Sequence, residues 1–173
     1  MNLLQKWSST MRLVAQATPE ALLLHILDSL AVARLPLPDE PMVDIGSGAG
    51  FPGLPLAALN PARSILLVES RTRRAAFLKE AVRAMKLSNV TVSPQRFESV
   101  VLPAGAFAVG RAVAPPPRFL QMVESQGVTS AVMMINDTML QSDYRPGWAV
   151  RGEDRPPLPF SPPHVNLLCS RQE

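Results

Sequence analysis

The chain is 173 residues long, 47% hydrophobic, with a formal net charge of +3 at pH 7; this suits one domain with a real core and permits nucleic-acid binding without requiring it. No apolar run approaches the ~18 residues of a membrane helix, and the opening Met1-Asn2-Leu3-Leu4-Gln5-Lys6-Trp7 lacks the basic-then-apolar pattern of a signal peptide, so a cytoplasmic protein with no membrane partner is expected. One cysteine, Cys169, and two histidines, His25 and His164, exclude an intrachain disulfide and a Cys/His metal cluster.

Taken in chain order, the N-terminal part reads as helical. Leu22, Leu23, Ile26, Leu27 and Leu30 form one stripe. Thr18 supplies an N-cap and Pro19 the first helical position, and Leu35-Pro36-Leu37-Pro38 ends the helix. Met42 to Ile45 reads as a short buried strand. The turn Gly46-Ser47-Gly48-Ala49-Gly50 follows, then a short helix from about Pro52 to Leu59. Ser64 to Val68 is a second strand, closed by Glu69. A longer helix is expected from Arg71 to Leu87, with Ala75, Leu78, Val82 and Met85 inward and charges outward. Val90 to Val92, Ala106 to Val109 and Val128 to Ile135 are the third, fourth and fifth strands. Beyond Ile135 the pattern fades. Pro156, Pro157, Pro159, Pro162 and Pro163 predict an extended loop over 152–163, and Cys169 reads as a buried small hydrophobe in the apolar run from Val165.

Alternating strands and helices imply a mainly parallel sheet with helices on both faces, a Rossmann-like α/β architecture. Right-handed crossovers place the turns after the first three strands along one edge. The expected organisation is a single domain over 1–173: an N-terminal helical extension (1–38), a Rossmann-like core (39–140) and a Pro-rich C-terminal segment (141–173).

Three glycines after a buried strand let the backbone turn sharply and approach a ligand closely. The helix that follows offers free N–H groups. Gly48-Ala49-Gly50-Phe51-Pro52-Gly53 matches the dinucleotide pattern G-x-G-x-x-G, but in a late register, because the strand already ends at Gly46. Asp44 would repel a pyrophosphate, yet it suits the ammonium group of a methionine moiety or the field of a sulfonium. Glu69 is placed to accept hydrogen bonds from ribose hydroxyls. S-adenosylmethionine is therefore the expected cofactor, over a nicotinamide dinucleotide or a turn with no ligand.

The run Val43-Asp44-Ile45-Gly46-Ser47-Gly48-Ala49-Gly50-Phe51-Pro52-Gly53-Leu54-Pro55-Leu56-Ala57 closely resembles the first motif of the RsmG family, also called GidB. These are bacterial methyltransferases that modify guanine N7 of small-subunit rRNA. His25-Ile26-Leu27-Asp28-Ser29-Leu30 looks like the family's Arg-His-x-x-Asp-Ser-Leu helix. The likeness continues through Leu67-Val68-Glu69-Ser70, Arg73 to Leu78, Arg96-Phe97-Glu98 and Arg111-Ala112-Val113-Ala114, covering about residues 3–120. It implies a class I S-adenosylmethionine-dependent methyltransferase fold, with rRNA or the small ribosomal subunit as partner. It further implies that Gly46 and Phe51 line the methionine and ribose end, that Glu69 holds the ribose, and that Phe97 and Glu98 flank the adenine; Asp44, Gly48 and Gly50 join them as expected cofactor-binding residues on the reading of the turn itself. Arg111 would lie beside the methyl donor or the guanine, as a positioning group able to bond O6. Guanine N7 has a lone pair and no proton to remove, so no general base is demanded. No metal is implied.

The departures from the family pattern concern the RNA-facing side. The family's arginine before the histidine is Leu24, an acid near the fourth strand is Ala106, and Leu-Lys-Gly after the fifth strand is Ile135-Asn136-Asp137. The family pattern is also shortened at both ends. Two further functions therefore stay open: a diverged methyltransferase acting on a small molecule or protein, and a non-catalytic module of the same fold. Arg71, Arg73, Arg74, Lys79, Arg83 and Lys86 make a basic row that reads equally as phosphate contacts or as a solvated helix face. His25 and Asp28 share a helical face, either to tie the helix to the glycine turn or as a catalytic pair.

Overall fold

The computed structural model describes residues 2–11, 13–141, 144–160 and 162–172. Its strands are β1 (Met42–Ile45), β2 (Ile65–Val68), β3 (Val90–Ser93), β4 (Phe107–Arg111), β5 (Ser130–Asn136), β6 (Trp148–Asp154) and β7 (His164–Arg171). They form one sheet in the order β3-β2-β1-β4-β5-β7-β6. β1 pairs in parallel with β2 on one side and β4 on the other, and only β7 runs antiparallel to its neighbours β5 and β6. All four residues of β1 are buried, as befits a central strand covered on both faces.

Around the sheet lie α1 (Asn2–Met11), α2 (Pro19–Ala31), α3 (Gly53–Leu59), α4 (Thr72–Met85) and α5 (Pro116–Ser125). Side chains alternate along each strand between two cores. Met42, Leu67, Phe107, Val109, Val132 and Leu168 join α3 and α4 on one face. Val43, Ile45, Ala108, Met133 and Leu167 meet Phe119, Leu120 and Val123 of α5 on the other.

The expected five strands are present, with ends moved by a residue or two. Thr18 caps α2 by accepting from the Ala21 N–H at 3.2 Å, with Pro19 at the first turn as expected. The buried face of α2 differs from the apolar stripe, however. Leu23 and Leu27 are 52% and 41% exposed, whereas Asp28 and Ser29 are buried. A polar residue is stable there only because other elements bring it partners, which helical periodicity does not register. α4 turns similarly: Phe77 and Ala81 are buried beside Ala75 and Leu78, while Met85 is exposed. α1 supplies the reason, since Trp7 packs edge-on against Phe77 with ring centroids 6.0 Å apart.

Three features were not expected from the sequence. Pro115, Pro116 and Pro117 open α5 rather than marking a loop, because proline tolerates the first turn of a helix. β6 reaches Asp154, so the expected loop over 152–163 begins as strand. β7 then places the C-terminal segment in the middle of the sheet edge, between β5 and β6. Cys169 on β7 is buried, as expected, and burial pushes its thiol up to about 11.

The contact between β4 and α5 is intolerant of volume. A Cβ at Gly110 would lie 2.4 Å from Cε2 and 2.7 Å from Cζ of Phe119, a ring that is itself buried. Gly110→Ala is therefore expected to destabilise the chain by about 1–3 kcal/mol, through the strain of overpacking. A urea titration that gave the same midpoint for both proteins would contradict this packing.

Candidate cofactor and acceptor site

The sheet reverses direction at β1: β2 and β3 lie on one side, β4 and β5 on the other. The crevice at the carboxyl ends of such strands is where open α/β sheets bind ligands. Here the chain leaves β1 through Gly46, Gly48 and Gly50, whose φ angles are 67°, 54° and 86°. Only glycine adopts three such angles in five residues without strain. The Gly46 and Ser47 N–H groups both donate to the Val68 carbonyl, at 2.8 and 3.1 Å, pinning the turn against the end of β2.

Glu69 follows β2 and is 5% exposed. Its carboxylate accepts from the Gly48 N–H at 3.1 Å and from the Arg71 N–H at 2.8 Å. The acid thus shapes the turn as well as facing it, and each oxygen keeps a second lone pair for a ligand. Asp44 lies beneath the turn, 1% exposed. Oδ2 accepts from the Gly53 N–H at 3.1 Å, while Oδ1 has no partner among the described residues. Burial drives its carboxyl from 3.8 to about 7, against the opposing pull of the Gly53 bond, the Ser47 hydroxyl and the positive charge of Arg111, with Glu69 adding to the rise.

Phe51 and Arg111 meet, with the guanidinium 5.2 Å above the ring. Arg111 closes β4, and burial pushes it down from its ordinary value while Asp28 and Asp44 oppose the shift. Its Nη1 donates to His25 Nδ1 at 3.3 Å and lies 3.7 Å from Asp28 Oδ2. The same Oδ2 accepts from His164 Nδ1 at 3.1 Å. Asp28 is fully buried on α2, so it joins that helix to β4 and to β7 at once. His25 does reach the glycine turn, its ring 5.6 Å from that of Phe51, but Asp28 turns instead to Arg111 and His164.

A cavity of about 700 Å³ opens beside this cluster. His25, Arg111, Val113, Met133, Asn136 and His164 contribute to its walls. Val113 also borders the glycine turn, its Cγ2 3.3 Å from where a Gly46 Cβ would stand. The cavity and the turn are therefore neighbours.

Of the residues singled out from the sequence, Asp44, Gly46, Gly48, Gly50, Phe51, Glu69 and Arg111 gather around the end of β1. Phe97 and Glu98 stand on the short turn Phe97–Ser99 that follows β3. Phe97 is 4% exposed and packs in the core with Val68 and Val100. The Glu98 side chain is exposed, and its carbonyl accepts from Gln126 Nε2 at 2.9 Å. His164 was missed because its strand was not foreseen. The available signal was Asp28, an acid set among leucines on an amphipathic helix.

The buried Asp44 gives a pH dependence of defined sign. The folded chain keeps this proton to about pH 7, whereas the unfolded chain releases it near 3.8. The folded form binds more protons in that window, so stability falls as pH rises from about 4 to about 7. Urea midpoints of the ligand-free protein are expected to follow this slope, and Asp44→Asn to flatten it. An equal slope in both proteins would place the shift elsewhere.

The fold is shared with solved methyltransferases. The crystal structure of M. jannaschii TYW2 in complex with AdoMet aligns with a TM-score of 0.65 at 16% identity, covering 92% of this chain and 79% of that one. The 23S rRNA methyltransferase ErmE aligns with a TM-score of 0.57 at 19% identity, over 84% of this chain and 67% of that one. These likenesses establish a Rossmann-like class I methyltransferase fold. Sequence relatives are nearer. Ribosomal RNA small subunit methyltransferase G of Nitrosomonas europaea is 40% identical over 125 residues, 70% of this chain and 58% of that protein. Its counterpart in Nitrosospira multiformis is 47% identical over 105 residues, 60% of this chain and 48% of that protein. The chain spans about half the length of the curated relatives it matches. Residues 1–139 match the family model of rRNA small subunit methyltransferase G, and with four-fifths of its length in that match the chain belongs to the GidB family.

Proposed function

We propose that the chain binds S-adenosylmethionine at the end of β1 and transfers its methyl group to guanine N7 of small-subunit rRNA, in the cytoplasm. The observation that carries the cofactor assignment is the pair of buried acids at the glycine turn. Asp44 has an unpartnered carboxylate oxygen, and a buried acceptor of that kind calls for a cation or donor. A pyrophosphate would be repelled there. The ammonium and sulfonium of S-adenosylmethionine supply the missing positive charge, and Glu69 accepts its ribose hydroxyls. The glycines of the turn let the methionine end approach the backbone, with Phe51 closing that end. Phe97 and Glu98 border the adenine, Phe97 through the firmness of the core behind it.

The cofactor brings a methyl group already activated on sulfur. The chain's own task is then to orient the acceptor and exclude water. N7 needs no proton removed, so no general base is required. Arg111 is a positioning residue whose guanidinium meets the charge that builds on O6. The parent family's substrate, and the neighbouring cavity of about 700 Å³, favour a base drawn out of the RNA stack as acceptor. Exposed Arg71, Arg73, Arg83 and Lys86 on and beside α4 furnish a phosphate-binding face. Among the described residues no helix is long and apolar enough to cross a membrane.

Calorimetric titration with S-adenosylmethionine tests the first half of this reading. Micromolar binding is expected, with Glu69→Ala weakening it about 10- to 100-fold, the scale of hydrogen bonds to a charged acceptor. Binding near pH 6.5 should also release a proton from Asp44, since a neighbouring cation favours its charged form. Titrations in buffers of different ionisation enthalpy read that proton directly. Transfer of labelled methyl to small ribosomal subunits tests the second half. Arg111→Ala with undiminished turnover would remove that residue from the mechanism, and cofactor binding without transfer would move the acceptor to another class.

A further inference from the structure

The Asp28 cluster contains more information than a structural tie. His25 Nδ1 faces Arg111 Nη1 at 3.3 Å. A guanidinium only donates, so this ring nitrogen accepts and the ring proton sits on Nε2. His164 Nδ1 faces Asp28 Oδ2 at 3.1 Å. A carboxylate beside a guanidinium only accepts, so this nitrogen bears the proton and Nε2 of the neutral ring is bare. The two histidines are thus held in opposite tautomers by one Asp–Arg pair.

Arg111, 3.7 Å from Asp28, already opposes its single negative charge. The charged or titratable groups facing His25 are Arg111, Asp28 and His164, from β4, α2 and β7. Burial, then Arg111, pushes His25 below its ordinary value, with Asp28 opposing and His164 adding to the shift. Both rings are also held in place. Phe160 stacks on His164 with centroids 3.9 Å apart and planes 14° from parallel, and the Phe51 ring lies against His25.

Both rings line the acceptor cavity. We infer that His25 Nε2–H and the bare Nε2 of His164 form a fixed donor–acceptor pair that selects guanine over adenine, with Asp28 and Arg111 as the residues that hold the tautomers. This rests on the proposed guanine acceptor. A guanine whose N7 stays uncovered for methylation still offers O6 as acceptor and the adjacent N1–H and 2-amino group as donors. Beside Arg111 and Asn136, the two rings would present one donor and one acceptor to that edge. Adenine offers the reverse order, a 6-amino donor beside an N1 acceptor. Freely exchanging histidine tautomers would adapt to either base; locked ones reject the wrong base by leaving polar groups unpaired.

Long-range proton–nitrogen NMR correlations of the histidine rings test the lock without any turnover. The chain has two histidines, so His25→Asn and His164→Asn assign both rings. The expected result at neutral pH is His25 protonated on Nε2 and His164 on Nδ1. The same tautomer in both rings, or a cationic His164, overturns the proposal. Asp28→Asn can donate as well as accept, so His164 should become a tautomer mixture in that variant; an unchanged His164 spectrum contradicts the assigned role of Asp28.

Reading of the base is tested by titrating guanosine and adenosine monophosphate into the protein saturated with demethylated cofactor. Guanosine monophosphate should shift both ring signals at concentrations where adenosine monophosphate shifts neither. His164→Asn, which keeps a donor toward Asp28 but has no group in place of Nε2, should lose about tenfold of that preference, the scale of one base contact. Equal shifts with both nucleotides, or none, overturn the base-reading role. Failure of cofactor binding or of methyl transfer to ribosomal subunits is a separate result, and it bears on the parent reading alone.

Discussion

The site depends on a parallel sheet whose strand order reverses at its centre. Crossovers leaving β1 and β4 go to opposite sides of the sheet, so the loops at the carboxyl ends part and a crevice opens above β1. Everything attributed to ligand binding stands at that opening. The glycine turn leaves β1, Glu69 ends β2 and Arg111 ends β4. Residues widely separated in the chain share one edge because parallel strands all deliver their carboxyl ends to the same side.

Two buried carboxylates occupy this region, and they are stabilised differently. Asp28 has charged partners on one oxygen: a guanidinium and an imidazole from two other elements meet Oδ2, while Oδ1 has no partner among the described residues. Asp44 has a single backbone donor and an oxygen without any, and its carboxyl is correspondingly raised to about 7. Burial of a charge is tolerated where compensation is built in, and is costly where it is not. Asp28 thus finds opposite charge within the fold, whereas the charge that would complement Asp44 is the one proposed to arrive with a ligand. The cost of Asp44 in the ligand-free chain is consistent with strain retained at a functional site.

The family match and the folded site also divide the chain differently. Sequence likeness to the GidB model ends at residue 139, while the sheet continues through β6 and β7. β7 pairs with β5 along its length and delivers His164 to the cavity opposite Asn136. Asn136, where the family pattern has a lysine, lines that same cavity. The wall of this cavity is thus built partly from the segment with the weakest sequence signal.

Local sequence determined the first five strands, the capped start of α2, the glycine turn and the buried acids around it, because each depends on neighbours in the chain. Short apolar runs, a Thr-Pro cap and closely spaced glycines act over a few residues and are legible there. Tertiary structure decided what lies beyond that reach. Prolines that punctuate a loop in isolation begin α5 once Phe119 packs against Gly110. Met85 and Leu23 are exposed and Asp28 is buried because α1, β4 and β7 supply contacts that no periodicity encodes. Phe97 became core for the same reason. A side chain's burial is set by every element packed against it, and the meeting of Asp28, Arg111 and His164 spans 136 residues of chain. The sequence named the chemistry at the end of β1; only the folded sheet showed which groups stand opposite it.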